Sequence, residues 1–283
     1  MGRVEGKVVA ITGAARGQGR SHAVRLAEEG ADIIALDACT DIEVAQYPMA
    51  TVEDLKETVR LVEQTGRRIF SRQVDVRDRA ELQNAIDDGV AELGRLDVVI
   101  PNAGISVLGP DRPLTAFTDT VDINLVGVIN TIHATLPHLS ETASVIVVGS
   151  MVGLIPDRGD PGPMGPGGLG YSLAKSTLIQ YVNTLALQLA PSGRRVNALH
   201  PTNVDTDMIQ NESVWRLFRP DLEHPTREEG NASFAMIHGM PIPCLDPSDV
   251  SHAVVYLASD ESRYVTGNQF KIDAGALLKR GVW

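Results

Sequence analysis

Short apolar runs alternate with longer amphipathic stretches along the whole chain. Compact apolar runs occur at 8–11, 33–36, 69–74, 98–100, 145–148, 196–199 and 269–272. They are too short for helices and most of them lack the polar alternation of a strand with one wet face, so they predict buried parallel strands. Between them, apolar residues recur at three- and four-residue steps. Val52, Leu55, Val59 and Val62, for example, predict a helix with one buried face. Strands alternating with helices are βαβ units, which place the chain in the α/β class with a doubly wound parallel sheet of about seven strands.

Three stretches break that rhythm. Residues 38–50 separate the second strand from its helix by more than such a connection needs. Residues 158–170 are almost all Gly and Pro and predict a mobile loop, after which a helix opens at Tyr171. Residues 202–243 carry helical pieces around 208–218 and 227–238 and read as a lid over a substrate. The 283 residues thus form a single domain, 1–283, with insertions at these three places.

Charge narrows the class of partner. The balance of 25 Lys+Arg against 36 Asp+Glu, a net −11, excludes a broad basic surface for nucleic acid or an anionic membrane. Any phosphate must therefore be held locally. Two cysteines, Cys39 and Cys244, are too few for a disulfide framework, which points to a reducing, cytoplasmic setting. No run approaches the roughly 18 apolar residues of a membrane span, and the N-terminal segment lacks the apolar core of a secretory signal. The seven histidines show no paired ligand spacing, so no metal site is expected.

Directly after the first strand stands Thr12-Gly13-Ala14-Ala15-Arg16-Gly17-Gln18-Gly19, followed by a helix. A strand, a glycine-rich turn and a helix N-terminus let backbone N–H groups and the helix dipole meet a pyrophosphate. This is the Rossmann-type arrangement, and Gly13, Arg16, Gly17, Gln18 and Gly19 are its candidate cofactor residues. Asp37 closes the second strand, where a carboxylate can accept both ribose hydroxyls of an adenosine and would repel a 2'-phosphate. That favours NAD over NADP. Arg16 argues the other way, because a guanidinium there could pair with such a phosphate.

Tyr171 and Lys175 lie one helical turn apart and share a face. A nearby ammonium favours phenolate over phenol, which makes Tyr171 a candidate proton acceptor with a lowered pKa. Together the Thr12–Gly19 cradle, Asn102-Ala103-Gly104 after the fourth strand, Asn124, Ser150 after the fifth, and the Tyr171/Lys175 pair resemble the short-chain dehydrogenase/reductase family. The likeness runs from Lys7 to Ile272.

That resemblance implies roles for individual residues. Ser150 would orient the substrate oxygen, Tyr171 would exchange its proton, Lys175 would also bind the nicotinamide ribose, and Asn124 would anchor a proton-relay water. Asp75 and Val76 would hold the adenine, Asn102, Ala103 and Gly104 would line the cofactor, and Pro201, Val204 and Thr206 would flank the nicotinamide. Thr202 stands where the family often has Gly, which puts the backbone path there in question. A homotetramer built through the helices up to and including the Tyr171 helix, and through the C-terminal segment ending at Trp283, is also implied.

The segment Ala38-Cys39-Thr40-Asp41-Ile42 with Tyr47-Pro48 resembles a narrower actinobacterial branch, similar to carveol dehydrogenases and associated with the redox peptide cofactor mycofactocin. There the insertion would close over NAD, and an external carrier would reoxidise it in place. A surface loop that merely packs at the adenine end is the alternative.

The implied activity is NAD-dependent interconversion of a secondary alcohol and a ketone, with a small hydrophobic substrate. Met208, Trp215, Leu217 and Phe218 offer an apolar wall facing either substrate or core. Two other classes stay open: a catalytically silent NAD-binding or sensing module, and a hydrolase built on Ser150. The first would lack Ser150, Tyr171 or Lys175, all present, and the second lacks a G-x-S-x-G elbow. His200 reads as a satisfied structural histidine, and Cys39 as a small loop residue.

Overall fold

A computed structural model of the chain describes residues 2–156 and 162–282. In chain order it runs β1 (Val8–Thr12), α1 (Gly17–Glu28), β2 (Asp32–Asp37), α2 (Val52–Gln64), β3 (Ile69–Gln73), α3 (Arg79–Leu93), β4 (Leu96–Ile100), α4 (Thr115–Val121), α5 (Gly127–Thr135), β5 (Leu139–Val148), α6 (Gly165–Leu189), β6 (Arg195–Pro201), α7 (Glu212–Phe218), α8 (Arg227–Ile237), α9 (Pro247–Ala258), β7 (Gln269–Ile272) and α10 (Ala276–Lys279). The strands form one parallel sheet of order β3-β2-β1-β4-β5-β6-β7. The chain winds outward from β1 to β3, then returns to place β4 on the other side of β1. That reversal opens a crevice at the carboxyl ends of β1 and β4, where ligands bind in such sheets.

Successive side chains of β1 feed opposite layers. Val8 and Ala10 join the core formed with α3, α5 and α6, whereas Val9 and Ile11 join the core formed with α1, α2 and α9. Both faces are dry along the central strands, which is why these read as continuous apolar runs. The edge strands β3 and β7, expected to be buried, are half-buried or exposed at every position because each has a neighbour on one side only. In α2 the buried stripe is Leu55, Thr58 and Val62, while Val52 is exposed. Val52 is the first residue of the helix, after a Thr51 capping box, so its side chain precedes the packed turn. No helix among the described residues is long and apolar enough to cross a membrane.

The glycine-rich stretch corrects the expectation of a loop to residue 170. Arg158 to Pro161 lie outside the described residues, as does Trp283, but α6 begins at Gly165, well before Tyr171. Its glycines let the helix pack close. A methyl group at Gly167 would run into the Val107 carbonyl, and at Gly170 it would stand 2.7 Å from the Phe117 carbonyl. Glycine weakens a helix in isolation, yet here direct backbone contact with the loop after β4 and with α4 decides the conformation. Tyr171 is therefore mounted inside a braced helix.

Candidate active site

The adenosine half of the crevice is built mainly from main-chain atoms. Thr58 Oγ1 donates to the Ala14 and Ala15 carbonyls at 3.0 Å each, and Arg20 donates to Ala15 O. With these carbonyls drawn away, the turn's N–H groups are left to the crevice. The Asn102 amide donates to Thr12 O at 3.0 Å and to Gly13 O at 3.2 Å, pinning the turn to the end of β4. Asp37 accepts from the Ala15 and Cys39 N–H groups, each at 3.0 Å, which leaves lone pairs for two hydroxyls.

Gly13, Arg16, Gly17, Gln18, Asp37, Asp75, Val76, Asn102, Ala103, Gly104 and Thr206 all line this groove. Gly19 lies beneath it, where a methyl group would strike the Gly13 carbonyl. Asp75 is bound by Arg77 through contacts as short as 2.6 Å, and that guanidinium holds its carboxyl below the usual carboxylate range against the opposing effect of burial.

Arg16 does not wait for a 2'-phosphate. Its guanidinium donates to Asp207 at 2.8 Å and to the Pro48 carbonyl at 2.6 Å, joining the 38–50 insertion to the segment after β6 across the cradle. The insertion is tethered on its other flank. Tyr47 Oη accepts from Ser106 N at 3.1 Å, and Gln46 Oε1 accepts from Leu108 N at 3.2 Å. Burial pushes the Tyr47 phenol up to about 12, so it stays neutral.

The second half is a cavity of about 510 Å³, lined by Ser150, Tyr171, Lys175, Pro201, Val204 and Thr206 among others. Ser150 follows β5 directly, with its Oγ accepting from Val152 N at 3.2 Å. Behind it, His200 Nδ1 lies 2.8 Å from Ser150 O and 3.3 Å from Ser150 N, and His200 Nε2 lies 2.7 Å from Gln269 Oε1. His200 is buried and its pKa is lowered chiefly by that burial. It is satisfied, as expected, but its role in setting the Ser150 backbone depends on β6 lying beside β5, which no local spacing reveals.

The Tyr171 pKa moves opposite to the expectation. Burial raises it, and the Ser150 side chain opposes that rise without overcoming it. Lys175 Nζ lies 5.6 Å from the Tyr171 ring centroid and donates to the Val148 carbonyl at 2.8 Å. Removed from water, Lys175 is itself lowered to about 8. One helical turn brings the pair together, as expected, but the surrounding apolar walls disfavour charge on both.

Asn124 sits in a π-helical turn, Asp122–Val126, between α4 and α5. Its Oδ1 accepts from Ile105 N and its Nδ2 donates to Ile105 O, both at 2.8 Å. The side chain is therefore committed to the strand end that carries Asn102–Gly104. These two contacts fix the fully buried Asn124 beside the cofactor wall.

Met208, Leu217 and Phe218 face the cavity, whereas Trp215 packs against Gly230 and donates to Gln210 at 3.1 Å. Thr202 continues the sheet, its N–H donating to Ile272 O at 3.0 Å, and its hydroxyl lies 2.7 Å from His238 Nε2 at the end of α8. The non-glycine residue thus anchors the covering segment instead of disturbing the path.

The crevice fits a dinucleotide on its own geometry. At Gly13 a methyl group would meet Ala103 Cα at 2.9 Å, so only glycine allows this close cradle. Gln18 Oε1 and Asn203 Nδ2 are buried without a partner in the described residues, and both residues line the cavity. An acceptor and a donor left open in this way are groups that a bound molecule would satisfy.

Residues 13–276 match a family model described as enoyl-(acyl carrier protein) reductase. A short-chain type dehydrogenase/reductase of Mycolicibacterium smegmatis is 46% identical over 98% of this chain and 99% of that protein. The (-)-trans-carveol dehydrogenase of Rhodococcus erythropolis is 43% identical over 99% of this chain and 100% of its own length. The crystal structure of a carveol dehydrogenase from Mycobacterium avium in complex with NAD superposes with a TM-score of 0.92 at 47% identity, covering 98% of this chain and 100% of that one. With its glycine cradle, its Ser150, Tyr171 and Lys175 in one cavity, and these full-length likenesses, the chain belongs to the short-chain dehydrogenase/reductase family.

Proposed function

We propose that the protein is an NAD-dependent oxidoreductase that interconverts a hydrophobic secondary alcohol and its ketone. The observation that carries this reading is Ser150, Tyr171 and Lys175 together on the wall of a cavity that meets the dinucleotide groove at Gln18, Asn102, Gly104, Thr206 and Met208. Bound NAD supplies the hydride acceptor or donor. Ser150 holds the substrate oxygen in register, with its main chain braced by His200. Tyr171 takes the hydroxyl proton during oxidation and returns one during reduction. Lys175 positions the ribose and, while charged, favours the phenolate. Asn124 contributes by fixing Ile105 and the cofactor wall beside it. Asp37 selects the unphosphorylated ribose.

Arg16 and the tethered 38–50 insertion support a tightly held NAD, reoxidised in place by an external carrier such as mycofactocin. Leu173 and Leu187 are exposed on α6, and so is Val126 at the end of the π-helical turn before α5, a surface suited to a homotetramer in the cytoplasm. The test is the nucleotide content of freshly purified protein, with turnover of secondary alcohols measured with added NAD and with an artificial acceptor. Stoichiometric NAD and turnover only with the acceptor are expected. Empty protein turning over freely with added NAD would reduce the reading to an ordinary exchangeable dehydrogenase, and no turnover in either assay would favour a silent NAD-binding module.

A further inference from the structure

Three ionisable residues line the cavity among the described residues: Tyr171, Lys175 and Arg280. The first two form the catalytic floor. Arg280 is exposed, and its guanidinium has no hydrogen bond or ion pair with any described residue. Among the described residues, no carboxylate shares the lining with it.

The residue is held in place from two sides. Its backbone N–H donates to Leu277 O at 3.0 Å, and Asp273 caps the turn by accepting from Gly275 N at 3.1 Å and Leu277 N at 2.9 Å. Ala276 and Leu277 are fully buried against Met151, which directly follows Ser150. Next door, Lys279 Nζ donates to Met236 O at 2.6 Å and His238 O at 3.0 Å. Arg280 therefore rides on a turn fastened both to the catalytic segment and to the end of α8. With a net charge of −11, the molecule as a whole repels anions. An unpaired cation at the mouth of an apolar cavity reverses that locally.

We propose that Arg280 is a specificity-determining residue that receives the carboxylate of the substrate. The substrate class is then a hydroxy acid, or the matching oxo acid, whose apolar skeleton separates the carbinol at Ser150 and Tyr171 from a carboxylate at the cavity mouth. The planar fork of a guanidinium matches a carboxylate in a two-point contact. This rests on the alcohol–ketone reading above and adds a charged end to its substrate.

The test uses the full-length protein, with whichever electron acceptor supports turnover. kcat/KM is measured for (ω−1)-hydroxy fatty acids of increasing chain length, for their methyl esters and for cyclohexanol. At the matching length the acid should exceed its ester by about tenfold, carried mainly by KM and weakened by high salt. Arg280→Gln and Arg280→Ala should erase that preference while leaving cyclohexanol turnover unchanged, and Arg280→Lys should keep part of it. Equal rates for acid and ester at every length, or an acid preference that survives both substitutions, would overturn the proposal. So would a parallel loss on acid, ester and cyclohexanol, the mark of a merely structural role. Turnover of cyclohexanol without acid preference overturns this assignment alone. Failure to turn over any secondary alcohol overturns the underlying reading with it.

Discussion

The two halves of the crevice are built in different ways. The adenosine half comes largely from one continuous β1-α1-β2 stretch, and its working atoms are backbone N–H groups shaped by Thr58, Arg20 and Asn102. The substrate half gathers side chains from segments far apart in sequence, including Ser106, Ser150, Tyr171, Val204, Phe218 and Arg280. The first presents a generic surface to a cofactor, for which main chain suffices. The second is where side chains decide chemistry and selectivity, and its shape exists only once distant segments meet.

Breaking the second half alone should leave the first working. Tyr171→Phe is expected to lower turnover by at least about a hundredfold, the size of a lost general acid/base, with NAD affinity nearly unchanged in fluorescence titration. Near-normal turnover would show that the proton moves elsewhere.

Lys175 sharpens the contrast through pH. Its value of about 8 in the folded protein lies below the ordinary 10.5. Below pH 8 both folded and unfolded chains hold the proton, and the fold bears the whole cost of a buried ammonium. Between about 8 and 10.5 the unfolded chain binds more protons, so stability rises with pH, by roughly 3 kcal/mol in all. Lys175→Met should remove that rise. Urea denaturation of the cofactor-free proteins at both ends of the window gives the difference, which isolates Lys175. The Cys39 and Cys244 thiols, pushed up to about 12 mainly by burial, contribute the opposite slope in both proteins.

The smallest effect belongs to the bridge between the halves. Arg16→Ala or Asp207→Asn breaks a contact at 2.8 Å whose Asp207 side is mostly exposed, a pair of the kind that contributes under about 1 kcal/mol. NAD release should accelerate by about threefold to fivefold in a dilution experiment that follows bound NADH fluorescence. An unchanged release rate would mean that the Arg16 bridge does not help to hold the 38–50 insertion over the cofactor.

The uneven legibility of the site follows the same division. The cradle, Asp37 and the Tyr171/Lys175 pair were readable because each depends on a strand end, a turn or one helical turn of spacing, whereas Ser150 came from the family resemblance. His200 behind Ser150, the Thr202 to His238 contact and the commitment of Asn124 to Ile105 were not, since each joins residues distant in the chain. The 165–170 glycines misled because Gly and Pro signal loops when no neighbour is considered. Packed against Val107 and Phe117, the same glycines become the condition for a close helix contact.

Sequence by itself determined the α/β alternation and the phosphate cradle, because local period and spacing encode them, and the family resemblance marked Ser150, Tyr171 and Lys175 as candidates. Tertiary structure alone decided their state. Burial raises Tyr171 and lowers Lys175, Arg16 turns from a phosphate ligand into a strap, and the C-terminal turn brings Arg280 to the cavity. Desolvation and long-range contacts depend on what surrounds a side chain, and that surrounding exists only after the sheet has closed its layers.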